Sequence, residues 1–374
     1  PTTGCGCTSD GRHHPRRVRQ RMGIRLRKIE KILIIQTAFI GDVVLMSPLI
    51  RASRDLFPQA LIDTLVIPAA ANILENNPAL HRVIIYDKRG RDAGVRPLLA
   101  LAGKLRREGY DLVLVPHRSL RSALLAWRTR AALRVGFTNS SASFLFTHRV
   151  FYDRNRHEVE RNLALLAALG REPGQVRPEI VPDETDRRIV DQMLSGLGEE
   201  DKPLMAIAPG SIWATKRWPA GSYRRLAELA MEAGWNLVWI GSERDRTLCA
   251  EISEGLPGAW INSAGQLSLR QSAELIRRAK VLVSNDSAPL HLASAMGTAA
   301  VALFGPTVPE FGFAPLSEGS VIVQIELPCR PCSIHGGKSC PIGTHECMTG
   351  ISPDKVFAEM RRLVMRKSKD ERNH

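Results

Sequence analysis

The chain has no apolar run approaching the roughly 20 residues that a membrane-crossing helix requires, so an integral membrane protein is not expected. Its first 30 residues, PTTGCGCTSDGRHHPRRVRQRMGIRLRKIE, lack the apolar centre of a secretion signal, and export is not expected either. Aromatic residues make up only 5% of the sequence, with no RNA-stacking pattern among them, which removes nucleic acid from the expected partners. The glycine signatures of common nucleotide sites are missing from the first half. After its first β-rich run, IIQTAFIGDVV holds one glycine where a dinucleotide fold would show G-x-G-x-x-G, and no P-loop occurs. The first half is therefore not expected to hold a nucleotide, and the acid at that loop, Asp42, is free for other chemistry.

At 374 residues the chain exceeds one ordinary core and is read as two domains. The net charge of +14 is unevenly spread: residues 1–31 carry +7 and residues 361–374 carry +4, leaving +3 for the body. The ends are basic and the globular part is not. Solvated tails are the simpler reading; attraction to an anionic membrane surface, at about 1 kcal/mol per nearby cation, is the functional one. Met22 is a candidate start within the basic segment. Of the 7 cysteines, Cys5 and Cys7 fall in that segment and Cys249 stands alone. Cys329, Cys332, Cys340 and Cys347 cluster as C-x2-C-x7-C-x6-C, near to common zinc spacings but not equal to them. Reduced thiols, a disulfide and a structural metal all stay open there, and a catalytic role is not expected.

Short β-rich runs alternate with helical patterns along the chain, the mark of parallel sheets in an α/β protein. ILIIQ (32–36), LIDTLVI (61–67), RVIIY (82–86), LVLVP (112–116) and RVGF (134–137) read as strands of a first half. LMAIAPG (204–210), WNLVWIGS (235–242), KVLVSND (280–286) and AAVALFG (299–305) restart the pattern after the proline- and acid-rich stretch VRPEIVPDETD (176–186), read as the linker. The expected organisation is a basic, disordered extension over 1–28, domains over 29–180 and 186–350, a helix over 351–366 and a tail over 367–374. Open sheets of this kind bind ligands beyond the carboxyl ends of their strands.

The strongest local signal is VLVSNDSAPLHLASAMG (281–297), a buried strand running into a helix with Pro289 in its first turn. The free amides and positive dipole of a helix start suit a phosphate, and Ser287 or Asp286 can cap it. Capping alone would be the simpler role for Asp286. APGSIWATKRWP (208–219) supplies a second glycine-bearing loop after a strand, with Lys216 and Arg217 able to neutralise a diphosphate. Glu243, in GSERD (241–245), stands where a carboxylate can accept ribose hydroxyls or simply start a helix. Residues 104–134 hold eight Lys/Arg (Lys104, Arg106, Arg107, Arg118, Arg121, Arg128, Arg130, Arg134) against Glu108 and Asp111. Most read as solvated helix faces; His117 and Arg118, directly after LVLVP, are the better cleft candidates.

In this order, IIQTAFIGDVVLMSPLIRA, YDLVLVPHRSLRSALLAWRTRAALRVGF, APGSIWATKRWPAGSYRRLAELA, GSERD and SNDSAPLHLASAMGTAAVALFGPTVPEF resemble the ADP-heptose:lipopolysaccharide heptosyltransferases of glycosyltransferase family 9, most of all the heptosyltransferase II group. The similarity spans residues 30–365. It implies the GT-B fold: two facing Rossmann-like domains with parallel sheets and a cleft between them, the first binding acceptor and the second the ADP-sugar. It implies that Gly41-Asp42 supplies the base of an inverting heptosyl transfer, with Thr37, Gly41, His117, Arg118 and Arg121 toward an acceptor rich in phosphate and carboxylate. Lys216 would stabilise the leaving ADP with Ser211, Thr215 and the amides around Ser287 and Ala288; Asp286 would hold heptose hydroxyls, and Gly210, His291 and Glu243 complete the donor side. The partners so implied are ADP-heptose as substrate, a lipopolysaccharide inner-core acceptor of the lipid A-Kdo-heptose type, and the cytoplasmic face of a bacterial inner membrane, held peripherally. No cofactor or catalytic metal is implied, and no D-x-D motif occurs in the cleft loops. The alternatives are transfer at another core position or from another nucleotide sugar, a sugar-nucleotide epimerase, and a silent nucleotide-binding protein.

Overall fold

A computed structural model describes residues 28–197 and 202–370. The extension expected over 1–28 therefore lies, except for Lys28, outside the described residues, together with Cys5, Cys7 and Met22. The first sheet comprises β1 (Lys31–Gln36), β2 (Leu61–Val66), β3 (Arg82–Ile85), β4 (Leu112–Val115), β5 (Leu133–Phe137) and β6 (His148–Val150). The second comprises β7 (Leu204–Ala208), β8 (Asn236–Trp239), β9 (Trp260–Asn262), β10 (Val281–Asn285), β11 (Ala300–Leu303) and β12 (Val321–Val323). Every pairing is parallel. The orders 3-2-1-4-5-6 and 12-11-10-7-8-9 are the same topology read from opposite edges. Each sheet thus has a switch point, between β1 and β4 in the first and between β7 and β10 in the second, and there a crevice opens beyond the strand ends.

The helices of the first half are α1 (Ile40–Leu56), α2 (Pro68–Leu74), α3 (Val95–Arg107), α4 (Leu120–Arg128) and α5 (Glu158–Ala167). Those that follow are α6 (Glu184–Leu194), α7 (Ala220–Glu232), α8 (Arg246–Ser253), α9 (Leu269–Arg278), α10 (Ala288–Met296), α11 (Glu346–Thr349) and α12 (Pro353–Asp370). Nine strands match the sequence pattern within three residues at each end. The three it missed, β6, β9 and β12, span three residues each on or near a sheet edge, too short for any periodicity to register. Helix α12 also corrects an expected boundary: it runs to Asp370 instead of stopping at 366, because no glycine or proline follows Pro353 to end it.

Strands β1 and β4 are buried along almost their whole length, as expected of a central pair covered on both faces. Helix α1 covers β1 and β2 and carries Pro48 in its interior, which leaves the Val44 carbonyl without its usual backbone donor. The Ser47 hydroxyl donates to that carbonyl at 2.8 Å and accepts from the Glu179 N–H at 2.9 Å, so the vacancy is filled and the chain leading out of the first half is pinned to α1. Residues 171–183 have neither helix nor strand, and α6 then packs against α9 of the second half. Arg270 on α9 lies 2.8 Å from Asp186, 3.3 Å from Asp183 and 3.5 Å from Glu75, joining both halves.

Candidate active site

Because β1 runs into α1 after only three residues, the loop 37–39 and the first turn of α1 stand at the mouth of the first crevice. Asp42 occupies the third helical position there, and its carboxylate accepts from the Phe39 N–H at 3.2 Å. It is half-buried. Burial first, then the negative charge of Glu158, push its carboxyl up to about 7, against the Phe39 N–H and the Arg118 charge, which favour the ionised form. A carboxyl so placed can take or give a proton near neutral pH.

Glu158 arrives from α5. Its Oε2 accepts from Tyr152 Oη and from the Arg161 guanidinium, both at 2.9 Å, and Arg118 lies 4.1 Å over the Tyr152 ring. His117, after β4, is held by Ser122 Oγ at 2.9 Å and Thr37 Oγ1 at 3.0 Å from its Nδ1. Burial, helped by Lys88 and Arg118, lowers its imidazole to about 4 and keeps it neutral. Lys88 donates to the Thr37 carbonyl. Its ammonium is held below the usual lysine range by burial, then by Arg89 and Arg121. Phe39, Ile67, Pro68, Asp87, Lys88, Arg89 and His117 line a cavity of about 490 Å³ beside Asp42. Lys88 and Arg89 follow β3 just as His117 follows β4, so the same strand-end rule could have found them; nothing local marks Glu158.

In the second crevice the Asn285 side chain organises the loops. Its Nδ2 donates to the Pro209 carbonyl at 2.8 Å and its Oδ1 accepts from the Trp218 N–H at 3.0 Å, tying the β7 loop to the end of β10. Gly210 is pressed against Asp245, where a Cβ would fall 2.3 Å from a carboxylate oxygen, so a side chain there would displace Asp245. The Lys216 ammonium lies 2.5 Å from Asp286 Oδ2 and 3.3 Å from the Asp286 carbonyl, and Thr307 Oγ1 donates to the same Oδ2 at 2.6 Å. Asp286 therefore does not cap the helix. Ser287 takes the cap position of α10 but makes no side-chain cap bond, and Pro289 has no N–H, so the amides of Ser287 and Ala288 are left to a ligand or to water.

Several expected donor residues have other partners. The Thr215 hydroxyl is engaged within the chain: it donates to the Gly337 carbonyl and accepts from the Gly337 N–H. Glu243 lies along Gly265, pairs with Arg246 at 3.0 Å and is largely exposed, while Asp245, two residues on, turns inward onto Ser242. Ser211 Oγ accepts from the Trp213 N–H at 3.3 Å, leaving its hydroxyl hydrogen available. Gly41 and His291, expected on opposite ligands, touch each other: a Cβ on Gly41 would sit 2.5 Å from His291 Cδ2. Burial keeps His291 neutral, down to about 4. Arg121 is exposed on the first turn of α4, on the side of Lys88.

The cysteines at 249, 329, 332, 340 and 347 are free thiols. Among the described residues no group of three or more His, Cys, Asp or Glu is arranged to hold a metal ion.

Gly41 against His291 brings the two crevices face to face, a proton-accepting carboxyl on one side and a lysine with an open helix start on the other. Two such sheets with a cleft between them make up the GT-B fold. The chain belongs to glycosyltransferase family 9 (heptosyltransferase), which matches residues 98–339. It is 30% identical over 352 residues to lipooligosaccharide heptosyltransferase 2 of Haemophilus ducreyi, covering 89% of this chain and 99% of that one. Its fold superposes on that of E. coli ADP-heptose LPS heptosyltransferase II with a TM-score of 0.75 and 25% identity, over 90% of this chain and 99% of that one. A glycosyltransferase family 9 structure from Veillonella parvula, 24% identical, gives a TM-score of 0.82 over 91% and 99% and supports the fold alone.

Proposed function

We propose that this enzyme transfers heptose from ADP-heptose to the inner core of lipopolysaccharide, with inversion, as a heptosyltransferase II. The observation that carries this reading is the placement of Asp42, with a carboxyl near neutrality, across the cleft from Lys216 and the start of α10. Asp42 takes the proton of the acceptor hydroxyl as that oxygen attacks the anomeric carbon, and the anomeric C–O bond to the diphosphate breaks on the opposite face. The electron pair goes to ADP, where Lys216 and the amides of Ser287 and Ala288 meet the growing charge. The first half binds the acceptor: Lys88, Arg89, Arg118 and Arg121 gather beside the cavity next to Asp42, suited to phosphate and carboxylate. The second half binds the ADP-sugar. In this reading protein cations do the work a metal would do, and no metal is required.

The test is direct. Purified protein is incubated with a panel of nucleotide sugars and defined core acceptors, with and without EDTA, and products are read by mass spectrometry. The expected result is a heptose added from ADP-heptose at a rate unaffected by EDTA. Epimerised nucleotide sugar without acceptor, or no product from any donor, would overturn the reading.

We further propose that the enzyme works at the anionic cytoplasmic face of the inner membrane. No helix among the described residues is long and apolar enough to cross a membrane. Support for surface attachment comes from the +7 over residues 1–31 and from the end of α12, where Arg361, Arg362 and Arg366 flank the exposed Met365. Deleting residues 1–21 should leave transfer to a delipidated acceptor intact. Sedimentation with anionic vesicles should fall and lose salt sensitivity, since screening acts over about 8 Å at physiological ionic strength. Equal sedimentation of both forms would return the segment to a solvated extension.

A further inference from the structure

The cysteine-bearing segment 329–347 is unused by the chemistry above, yet it is fastened to the donor site at several points. At its root, Arg330 donates to the carbonyls of Gly305, Ile325 and Thr307 and to the Gln324 side chain, and the Cys332 N–H donates to the Pro306 carbonyl at 3.1 Å. These bonds hold the loop whose Thr307 hydroxyl grips Asp286. Further along, Thr215 is held on all three of its polar groups. Its N–H and hydroxyl both donate to the Gly337 carbonyl at 3.1 Å, the hydroxyl accepts from the Gly337 N–H at 2.8 Å, and its carbonyl lies 2.7 Å from His345 Nε2. Lys216 is the next residue.

Between these anchors Ser333 Oγ accepts from the N–H groups of His335, at 3.1 Å, and Gly336, at 2.7 Å, folding a tight turn. Gly336 is left-handed, with φ +90, and a Cβ there would fall 2.9 Å from Trp213 Cβ and 3.1 Å from Lys216 Cγ. Only glycine lets the turn lie directly on the Lys216 stem. The turn carries His335 at its tip, exposed and directed across the cleft, its ring 6.5 Å from that of Phe39. Phe39 is the residue whose N–H bonds Asp42. Burial first, then the charges of Lys216 and Arg118, disfavour the protonated imidazole, and Asp286 acts in the opposite sense. An N–H donor beside the Lys216 stem, within reach of these charges, is a place for an anion.

We propose that His335 is a substrate-contacting residue that hydrogen-bonds the diphosphate of the bound nucleotide sugar, and that segment 329–347 is the wall closing the donor site toward the base loop. The proposal rests on the reading of this cleft as a nucleotide-sugar site. It is tested with the full chain and its His335→Ala and His335→Gln variants. ADP affinity is measured by calorimetry, KM for the nucleotide sugar and kcat by turnover, and stability by melting.

The side chain is exposed, so melting should not change. In His335→Ala, ADP affinity should weaken by roughly 10-fold to 100-fold, the worth of one hydrogen bond to a charged group, with donor KM rising in parallel. His335→Gln, which keeps an N–H donor, should recover part of both. ADP affinity within twofold of wild type in His335→Ala would overturn the contact, whatever happens to kcat. If wild-type protein binds ADP but transfers no heptose, the proposed reaction fails while the ADP comparison still decides the role of His335. If wild-type protein binds no ADP, both fail.

Discussion

Replacing Asp42 by Asn should leave the fold and ADP binding in place and lower transfer by roughly 10²–10⁴-fold, the usual contribution of a positioned general base. The amide keeps the shape of the side chain and loses only the ability to take a proton. The same substitution separates chemistry from structure. The wild-type carboxyl titrates near 7 in the folded protein against an ordinary value of 3.8, so between those pH values the native state holds a proton that the unfolded chain has released. Stability therefore falls as pH rises through this window, and above about pH 7 the folded protein carries a desolvated charge that it would be more stable without. Asp42→Asn should thus melt no lower than wild type at pH 8, while wild-type kcat/KM rises with pH to a plateau above an inflection near 7. Near-normal turnover in the variant would remove Asp42 from the mechanism; a variant that melts well below wild type would mean that its main task is to start α1.

Asp42 could be singled out from sequence because it depends on short-range information. A strand of aliphatic residues, a three-residue loop and a helix start place it at a sheet mouth whatever the rest of the chain does. The same logic places His117 after β4 and Asp286 after β10. What short-range information does not carry is contact between distant segments. The resemblance implies Thr215 on the donor side, and nothing near it in the chain reveals that Gly337 will occupy its hydroxyl from 122 residues away. Glu158, which raises Asp42, is buried on a helix beside Arg161, and i to i+3 ion pairs of that kind usually mark only a solvated helix face. The spacing of the cysteine segment leaves thiols, a disulfide or a metal open and points to no catalytic role. Its role at the donor site lies instead in Ser333, Gly336 and Gly337, residues that look like ordinary loop.

The two halves repeat one topology and divide the work by what stands at the switch point. In the first sheet the β1 loop carries an acid and a hydroxyl, Asp42 and Thr37, with cations set back around the cavity. In the second, the corresponding β7 loop carries glycine and lysine, and the strand across the switch point, β10, ends in a helix start without a side-chain cap. In the proposed mechanism proton acceptance thus falls to one half and anion stabilisation to the other. The reaction needs both together, which the close contact of Gly41 with His291 allows.

Lys216→Ala should cost about as much as losing the base, for a different reason. The ammonium has three donors, and two are directed at the side chain and carbonyl of Asp286, which leaves one for a ligand. Asp286 Oδ2 is saturated by Lys216 and Thr307, so its other oxygen remains for a sugar hydroxyl. Removing the lysine takes away a donor to the leaving diphosphate, worth roughly 10²–10³-fold in turnover where such groups act on developing charge. It also strands the Asp286 carboxylate, largely buried, facing an incoming anion. ADP affinity should therefore drop further than the loss of one contact explains, and the fold should be destabilised. Adding Asp286→Asn removes the stranded charge. The double variant should recover melting temperature and part of the ADP affinity over Lys216→Ala, while turnover stays low because the cation is still missing. Calorimetry, melting and single-turnover transfer on wild type, Lys216→Ala and the double variant decide this. Recovery of turnover along with affinity in the double variant would mean that Lys216 serves only to neutralise Asp286 and takes no part in the departure of ADP.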